Sequence, residues 1–339
     1  MGFLFRRLLG VVPTLAGVVF ATFALTRLLP GDPAVFFANS VTADAATIAA
    51  VREKLGLDLP LWRQFLIYVQ QLFHGDLGQS ISTGQPVAAD LWQRLPASLE
   101  LTLAAFLIAL CVAIPLGIAA ALRPGSIVDQ ICRVISTAGV SLPTFVTGLL
   151  LIYLFYYLTG LAPEPIGRID PFAMTPPRVT GLLLIDTLLA GDTETFWMAA
   201  KQIILPALTM ALFALAPLAR MTRASMLGVL SSEFIRTARA NGLRRRKIIF
   251  SYALRNALLP IVTTLGMIFS NMLGANVLVE RVFAWPGVGS YALDSLIQLD
   301  YAPVQGFMLV MAAIFVLVNL VIDLLYGVID PRTGLLHHA

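Results

Sequence analysis

Residues 99–122 read LELTLAAFLIALCVAIPLGIAAAL, and Glu100 is the one charged residue among them. A helix needs about 20 mostly apolar residues to cross the hydrocarbon core of a bilayer. This run meets that length without a second charge to place in lipid. It therefore predicts a membrane-spanning helix.

Five further runs of the same kind accompany it. They lie at residues 8–29, 134–158, 203–218, 257–279 and 304–328, and the run at 203–218 could begin near Phe196. The whole chain is 58% hydrophobic and 12% charged, with a mean hydropathy of +0.85. A soluble domain carries about 25% charged residues. The composition excludes such a domain and predicts an all-α integral membrane protein, in which residues 1–339 form one domain of six transmembrane helices.

The charge distribution indicates the orientation of the chain. If the amino terminus is cytoplasmic, the inner segments hold 14 of the 23 lysine and arginine residues but three of the 19 acidic residues. Cytoplasmic segments of membrane proteins are enriched in Lys and Arg. Both termini are therefore predicted to be cytoplasmic. The net charge of +4 is interpreted as this topology signal and not as a nucleic-acid interface.

The first apolar run resembles a signal peptide in one respect, because Arg6 and Arg7 precede it. However, the run is long and ends at Arg27-Leu28-Leu29-Pro30 without a small-residue cleavage site. We interpret it as a retained span. The shorter run at 181–190 cannot cross a bilayer and is predicted to be a helix within a loop.

Residues 30–98 are predicted to form an extracytoplasmic cap. Two helices are expected in it, one at 43–55 that ends at Gly56 and one at 61–73 that follows Pro60. The cap could pack on the membrane domain, or it could also offer a docking surface to an outside partner. The sequence leaves both interpretations open, and they are compatible.

The loop at 221–256 has too regular a pattern to be a simple connector. Ser231 and Ser232 are predicted to cap a helix with Glu233 in its first turn, and Asn241-Gly242 is predicted to end it. Such a helix could insert into a groove of a cytoplasmic partner. The basic residues that follow could equally serve as a lipid contact and topology signal.

At residues 234–243 the sequence is Phe-Ile-Arg-Thr-Ala-Arg-Ala-Asn-Gly-Leu. This resembles the cytoplasmic "EAA" loop of the binding-protein-dependent ABC importer permeases, in the form that its dipeptide/oligopeptide branch uses. Arg236 stands where the general pattern has Glu, and the proline comes late, at Pro260. Both departures are shared by the peptide branch.

The resemblance extends along the whole chain. The matching motifs are Leu-Pro-Gly-Asp-Pro at 29–33, Gly-Asp-Leu-Gly at 75–78 with Ser80, Leu-Pro-Ala-Ser-Leu-Glu-Leu at 95–101, Phe-Ala-Trp-Pro-Gly-Val-Gly at 283–289, and Tyr-Gly at 326–327 with Asp-Pro-Arg at 330–332.

The resemblance implies a multi-pass subunit of the bacterial inner membrane that forms a translocation pathway with a second homologous permease, usually a different chain. Two cytoplasmic ATPase subunits would bind the loop helix, and an extracytoplasmic binding protein would deliver peptides. ATP and magnesium would be bound by the partner subunits. The residues implied in coupling are Glu233, Phe234, Ile235, Arg236, Thr237, Ala238, Arg239, Ala240, Asn241, Gly242 and Leu243.

The chain itself lacks a P-loop, because no lysine is followed by Ser or Thr. Asn271 and Asn276 could line the pathway or bond neighbouring helices. Glu100 is predicted to act on the helix dipole near the outer start of its helix. No metal site is predicted from His74 or from the two cysteines, Cys111 and Cys132, which are interpreted as packing residues.

Two functions other than an importer permease are compatible with a membrane protein of this composition. A secondary transporter could use Asp323, an ionisable residue in the last apolar run, for ion coupling. A structural bond between Asp323 and the segment 330–332 is the simpler interpretation. A membrane enzyme is the other alternative, but the sequence contains no recognisable catalytic motif. The sequence does not choose among dipeptides, longer peptides, glutathione, nickel chelates and oligosaccharides as cargo.

Overall fold

The computed structural model describes residues 2–28, 45–54, 57–298 and 300–329, and these are almost wholly helical. The α-helices are α1 Gly2–Leu28, α2 Ala45–Lys54, α3 Leu61–Phe73, α4 Val87–Leu122, α5 Ile127–Ser141, α6 Thr144–Leu151, α7 Leu183–Leu189, α8 Thr193–Leu230, α9 Glu233–Ala240, α10 Arg245–Lys247, α11 Arg255–Val282, α12 Val288–Ile297 and α13 Tyr301–Ile329. Two π-helical segments extend these helices without a break: Ile152–Leu158 follows α6, and Ile248–Leu254 joins α10 to α11.

Within the described part of the chain, four helices are long and apolar enough to cross a membrane. They are α4, α8, the continuous helix that begins at Arg245 and includes α11, and α13. Four of the six predicted spans therefore have their counterparts. The runs at 8–29 and 134–158 correspond to shorter apolar helical stretches, Val12–Ala24 and Thr144–Leu158.

The prediction of one unbroken helix over residues 134–158 is wrong. The chain leaves helical geometry at Leu142, whose φ of −105° and ψ of 135° are extended, and α6 begins after Pro143. Proline disfavours the helical conformation in the residue before it and has no N–H to donate to the preceding turn. Pro143 therefore divides the predicted span into α5 and α6.

Other helices are longer than the apolar runs that predicted them. Helix α8 has 38 residues and α4 has 36. At about 1.5 Å per residue, each exceeds the hydrocarbon thickness of about 30 Å. Hydropathy finds only the most apolar part of a helix, so the prediction missed the first turns of α4 and the turns at both ends of α8.

Helix α8 lies at the centre of the bundle, in contact with α4, α5, α6, α7 and α11. Small residues permit the closest approach, to α4. A Cβ added at Gly117 would lie 2.6 Å from Cβ of Thr222, so only glycine fits there. Small residues at such crossings are typical of membrane helices, where backbones pack closely. The main hydrophobic core of the protein lies along this contact between α4 and α8.

The two ends of the bundle are named after the predicted orientation: the end that carries α9 is the inner end, and the end that carries Pro286 and α12 is the outer end. Helix α3 of the predicted cap has the predicted bounds and packs on α1, with the Phe65 ring 5.3 Å from that of Phe23 and 6.0 Å from that of Phe20. Trp62 on α3 stays exposed. Helix α3 therefore packs on α1, whereas the extracytoplasmic position of the cap and its docking surface stay predictions.

Candidate functional site

Helix α9 is the predicted loop helix, and it follows the last turn of α8 after two serines. The predicted side-chain cap is wrong. The Ser232 hydroxyl donates to the carbonyl of Val229 at 2.5 Å, and the Ser231 hydroxyl donates to that of Gly228 at 2.9 Å. Serine hydroxyls compete in this way for nearby backbone carbonyls. The two serines thus close α8 and do not cap α9.

The two faces of α9 differ sharply. Ile235 and Ala238 are buried in the main core, and the helix packs against the π-helical segment Ile248–Leu254. Phe234 is 45% exposed, although it is a large apolar residue, and the side chains of Glu233 and Arg236 are also exposed. Helix α9 is therefore held by one face and presents an aromatic and charged face at the inner end.

Gly242 ends α9 as predicted, with a φ of +70°. The N–H of Leu243 donates to the carbonyl of Ala238 at 3.2 Å, and the N–H of Gly242 donates to that of Arg239 at 3.0 Å. These two bonds form the Schellman motif, in which glycine supplies the left-handed residue after the helix. The end of α9 is thus fixed by backbone geometry.

An ion pair that the sequence did not reveal stabilises the inner end of α8. Arg223 of α8 donates to both carboxylate oxygens of Asp129 on α5. Asp129 also accepts from the N–H of Gly125 at 2.9 Å, and Ser126 caps α5 by accepting from the N–H of Asp129. The hydrogen bond from Arg223, aided by that from Gly125, lowers the pKa of Asp129 to about 2. The carboxylate is therefore ionised at neutral pH.

At the outer end, two motifs that are distant in sequence meet around a buried carboxylate. Glu280 is fully buried at the end of α11 and accepts from the Ser98 hydroxyl at 2.5 Å and from the N–H of Ser290 at 2.8 Å. Ser98 accepts in turn from the N–H of Val288 at 2.9 Å. The indole N–H of Trp285 donates to the carbonyl of Ala97 at 2.9 Å.

The close packing around Glu280 explains one glycine of the 283–289 motif, since a Cβ at Gly287 would lie 2.2 Å from Oε1 of Glu280. Sequence reasoning found both motifs but missed Glu280, because its partners lie far away in the chain. The signal available in the sequence was an acidic residue, Glu280, that lies between the motifs at 95–101 and 283–289.

The motif at 75–80 reaches the same end. The Ser80 hydroxyl donates to Asp300 at 2.7 Å, and both residues are fully buried. Nearby, the Tyr291 hydroxyl donates to Asp90 at 2.8 Å. The segment before α4 is thereby joined to the loop between α12 and α13. Three of the family-like motifs therefore converge on one polar layer at the outer end.

The two asparagines that could line a pathway have different surroundings. Asn276 is buried, and its amide donates to the carbonyl of Ser98 and the hydroxyl of Thr102, both at 3.3 Å. It bonds neighbouring helices and does not reach an open surface. Asn271 is exposed on α11, on the same helical face as Met267, which is 65% exposed.

The predicted role of Glu100 at the start of its own helix is wrong, because α4 begins at Val87. Glu100 is buried instead, and it accepts from Arg168 at 2.5 Å and from the N–H of Leu184 at 2.7 Å. Leu184 belongs to the first turn of α7. Glu100 thus joins α4 to the loop that precedes α8.

The remaining candidates are His74, the two cysteines and Asp323, of which Cys132 lies close to the Arg223–Asp129 pair. His74 bonds through Nδ1 to the carbonyl of Gln70 at 2.7 Å. Cys111 is exposed and Cys132 is buried, and both are free thiols. Asp323 is half-buried on α13, and its suggested partner at 330–332 lies outside the described residues, as does the motif at 29–33.

Comparison with known proteins identifies the family. Residues 113–335 match the model described as "Binding-protein-dependent transport system inner membrane component", and residues 1–102 match the model of the N-terminal part of such membrane components. The probable D,D-dipeptide transport system permease protein DdpB of Escherichia coli K12 is 46% identical over 97% of this chain and 96% of its own length.

Two further relatives have nearly the same coverage. The di/tripeptide transport system permease protein DppB of Pseudomonas aeruginosa UCBPP-PA14 is 42% identical over 98% of both chains. The dipeptide transport system permease protein DppB of Escherichia coli K12 is 41% identical over 97% of this chain and 98% of its own length. The chain therefore belongs to the family of binding-protein-dependent transport system inner membrane components, which are permease subunits of ABC importers.

Proposed function

We propose that this chain is the permease subunit of an importer of short peptides, and that it forms the translocation pathway together with a second, homologous permease chain. Two cytoplasmic ATPase subunits bind ATP and magnesium and drive alternating access. An extracytoplasmic binding protein delivers the peptide. The names of the three relatives all specify peptides of two or three residues, which supports this class of cargo.

The proposal includes six membrane crossings with both termini in the cytoplasm. The charge asymmetry of the loops supports this orientation. At about 1.5 Å per residue, α1 is about 40 Å long and can span. The helical stretch Thr144–Leu158 is only about 22 Å long, so the third crossing would begin within α5 and bend at Pro143.

The observation that carries the proposal is the geometry of α9. One face of this helix is buried through Ile235 and Ala238, and its end is fixed by the turn at Gly242. A helix held in this way moves with the membrane domain as a unit, because packed elements shift between discrete arrangements and do not deform continuously. Its exposed face, with Phe234, suits insertion into a cleft of an ATPase subunit.

For the pathway, we assign the exposed face of α11 that carries Asn271 and Met267. Asn276 is not assigned to this face, because its side chain is buried and its amide N–H groups donate to Ser98 and Thr102 of α4. Polar and small residues on an unpartnered face of a membrane helix suit either a water-filled path or a second helix. In a two-subunit permease, the same face can serve both purposes.

The test is purification of the tagged chain from its native membrane in mild detergent, followed by reconstitution in liposomes. We expect a second permease and ATPase subunits to co-purify, and peptide uptake to require ATP and the binding protein. A chain that purifies alone and transports without ATP would contradict the proposal. Asp323 would then become the candidate for ion coupling.

A further inference from the structure

A cavity of about 390 Å³ opens at the outer end, between the start of α4, the loop before α7 and the turn after α11. This volume lies within the range of about 300–1,000 Å³ that is typical of small-molecule sites. Its walls combine basic and apolar residues, namely Arg94, Arg168, Arg178, Pro176, Leu183 and Pro286. The cavity is separate from α9 and from the exposed face of α11.

Two of the three arginines form no ion pair with the described residues, although Arg94 interacts electrostatically with the buried carboxyl group of Glu280. The Arg94 guanidinium lies over the Tyr291 ring, 4.8 Å from its centre, and makes no hydrogen bond or ion pair with any residue that the structure describes. Arg178 donates to the carbonyl of Trp92 at 2.9 Å, and within the described ranges it has no carboxylate partner. Most of the N–H donors of these two residues are therefore available.

The third arginine is paired but not saturated. Arg168 donates through one terminal nitrogen to Glu100 at 2.5 Å and to the carbonyl of Gly181 at 3.1 Å. Its Nε is buried and has no acceptor in the described part of the chain. A buried N–H without an acceptor is costly, particularly on a charged group. Arg168 therefore lines the cavity with a charge that is already paired with Glu100.

The one carboxylate in the cavity wall, that of Asp186, forms no ion pair with these arginines within the described residues. One oxygen of Asp186 accepts from the N–H and the hydroxyl of Thr180, both at 2.7 Å, and the other accepts from the N–H of Gly181 at 2.9 Å. Burial opposes its ionisation, but these hydrogen bonds prevail and lower the pKa of Asp186. Its acceptors are used to shape the turn at Gly181.

We propose that this cavity receives the free α-carboxylate of the transported peptide after the binding protein releases it. Arg94 and Arg178 would hold the carboxylate, because the planar guanidinium matches its two oxygens. The prolines and Leu183 would contact the apolar part of the peptide. A cavity of this size accepts a whole small solute, whereas a single acidic side chain of a docked protein would leave most of it empty.

The inference rests on the proposed function, and one assay tests both. The complete importer is reconstituted in liposomes with saturating binding protein, and uptake of radiolabelled dialanine and of dialanine amide is measured. The Arg94→Gln/Arg178→Gln double variant is compared with Arg63→Gln. Arg63 is a matched control, since it also lies over an aromatic ring, that of Trp62 at 5.1 Å, but outside the cavity.

We expect dialanine uptake to fall about tenfold in the double variant, roughly the loss of one hydrogen bond to a charged group, and to be unchanged in Arg63→Gln. In the wild type, uptake of the amide should be reduced to a similar degree, at equal occupancy of the binding protein. The liganded binding protein should bind both variants as it binds the wild type.

Three outcomes would overturn the proposal. Equal dialanine uptake in the double variant and the control would show that the cavity does not act on the peptide. Weaker docking of the binding protein to the double variant would assign the arginines to an acidic protein surface. A wild-type importer that carries neither probe would contradict peptide import itself, and the carboxylate site with it.

Discussion

Replacement of Gly242 tests the loop helix most directly, because the structure isolates the cost of the change. Gly242 has a φ of +70°, and a Cβ added there would meet no atom within 4 Å. A substitution therefore causes backbone strain without a steric clash. An L-residue in the left-handed region costs roughly 1–2 kcal/mol, Asn less, and a β-branched residue more.

A cost of 1–2 kcal/mol changes a conformational ratio by a factor of about 5–30. We expect the native end of α9 to be increasingly destabilised when Gly242 is replaced by Asn, Ala and Val, in that order. The Gly242→Val variant should be nearly inactive in ATP-dependent uptake. Membrane insertion should survive, because the turn lies outside the apolar runs. The matched control is Gly228→Ala on α8, where a Cβ also meets nothing within 4 Å and no positive φ is required.

Uptake by the reconstituted importer is measured beside the amount of each variant in the membrane. Normal transport by Gly242→Val would refute the assignment of the turn. A loss of transport in Gly242→Asn as large as that in Gly242→Val would also count against it, since backbone strain predicts a graded series. Loss in Gly228→Ala would indicate that any added methyl group near the loop is harmful.

Three further predictions concern the inner end. Phe234→Ala should leave thermal stability unchanged but release the ATPase subunits in a pull-down, whereas Phe250→Ala, at a somewhat more exposed Phe outside α9, should retain them. Ile235→Ala should lower the free energy of unfolding by about 2–5 kcal/mol, measured by thermal denaturation in detergent. Asp129→Asn should lower thermal stability by removing the partner of Arg223. In the wild type, the contribution of this ion pair should be fully present above the ordinary carboxyl pKa of about 3.9 and be lost as the pH falls towards 2, because the folded-state pKa of Asp129 is lowered.

The features that were predictable from the sequence depend on local signals. Helix α3 begins after Pro60 and ends before His74 as predicted, and the end of α9 at Gly242 follows from the Asn-Gly pair. Of the apolar stripe that the sequence places on α9, Ile235 and Ala238 are buried, whereas Phe234 is 45% exposed. In each case the deciding interactions lie within a few residues, so a short window contains the information.

The features that were missed depend on contacts between distant residues. Glu100 appeared to lie near a helix start because hydropathy ignores the polar turns from Val87 onward, and its actual partner Arg168 lies in another loop. Asp129 and Arg223 were counted as topology signals and not as a pair. The break at Pro143 was visible in principle, but an apolar run on both sides concealed it.

The arrangement of α11 suggests how the two ends communicate. From Arg245 to Val282 the chain is continuously helical, including the π-helical segment Ile248–Leu254, over about 55 Å at 1.5 Å per residue. Its inner start packs against α9, and its outer end carries Glu280. A displacement of α9 by an ATPase would therefore reach Glu280 through one helix. Because Glu280 is bonded to Ser98 of α4, α4 and α11 must either move together at the outer end or break a buried hydrogen bond.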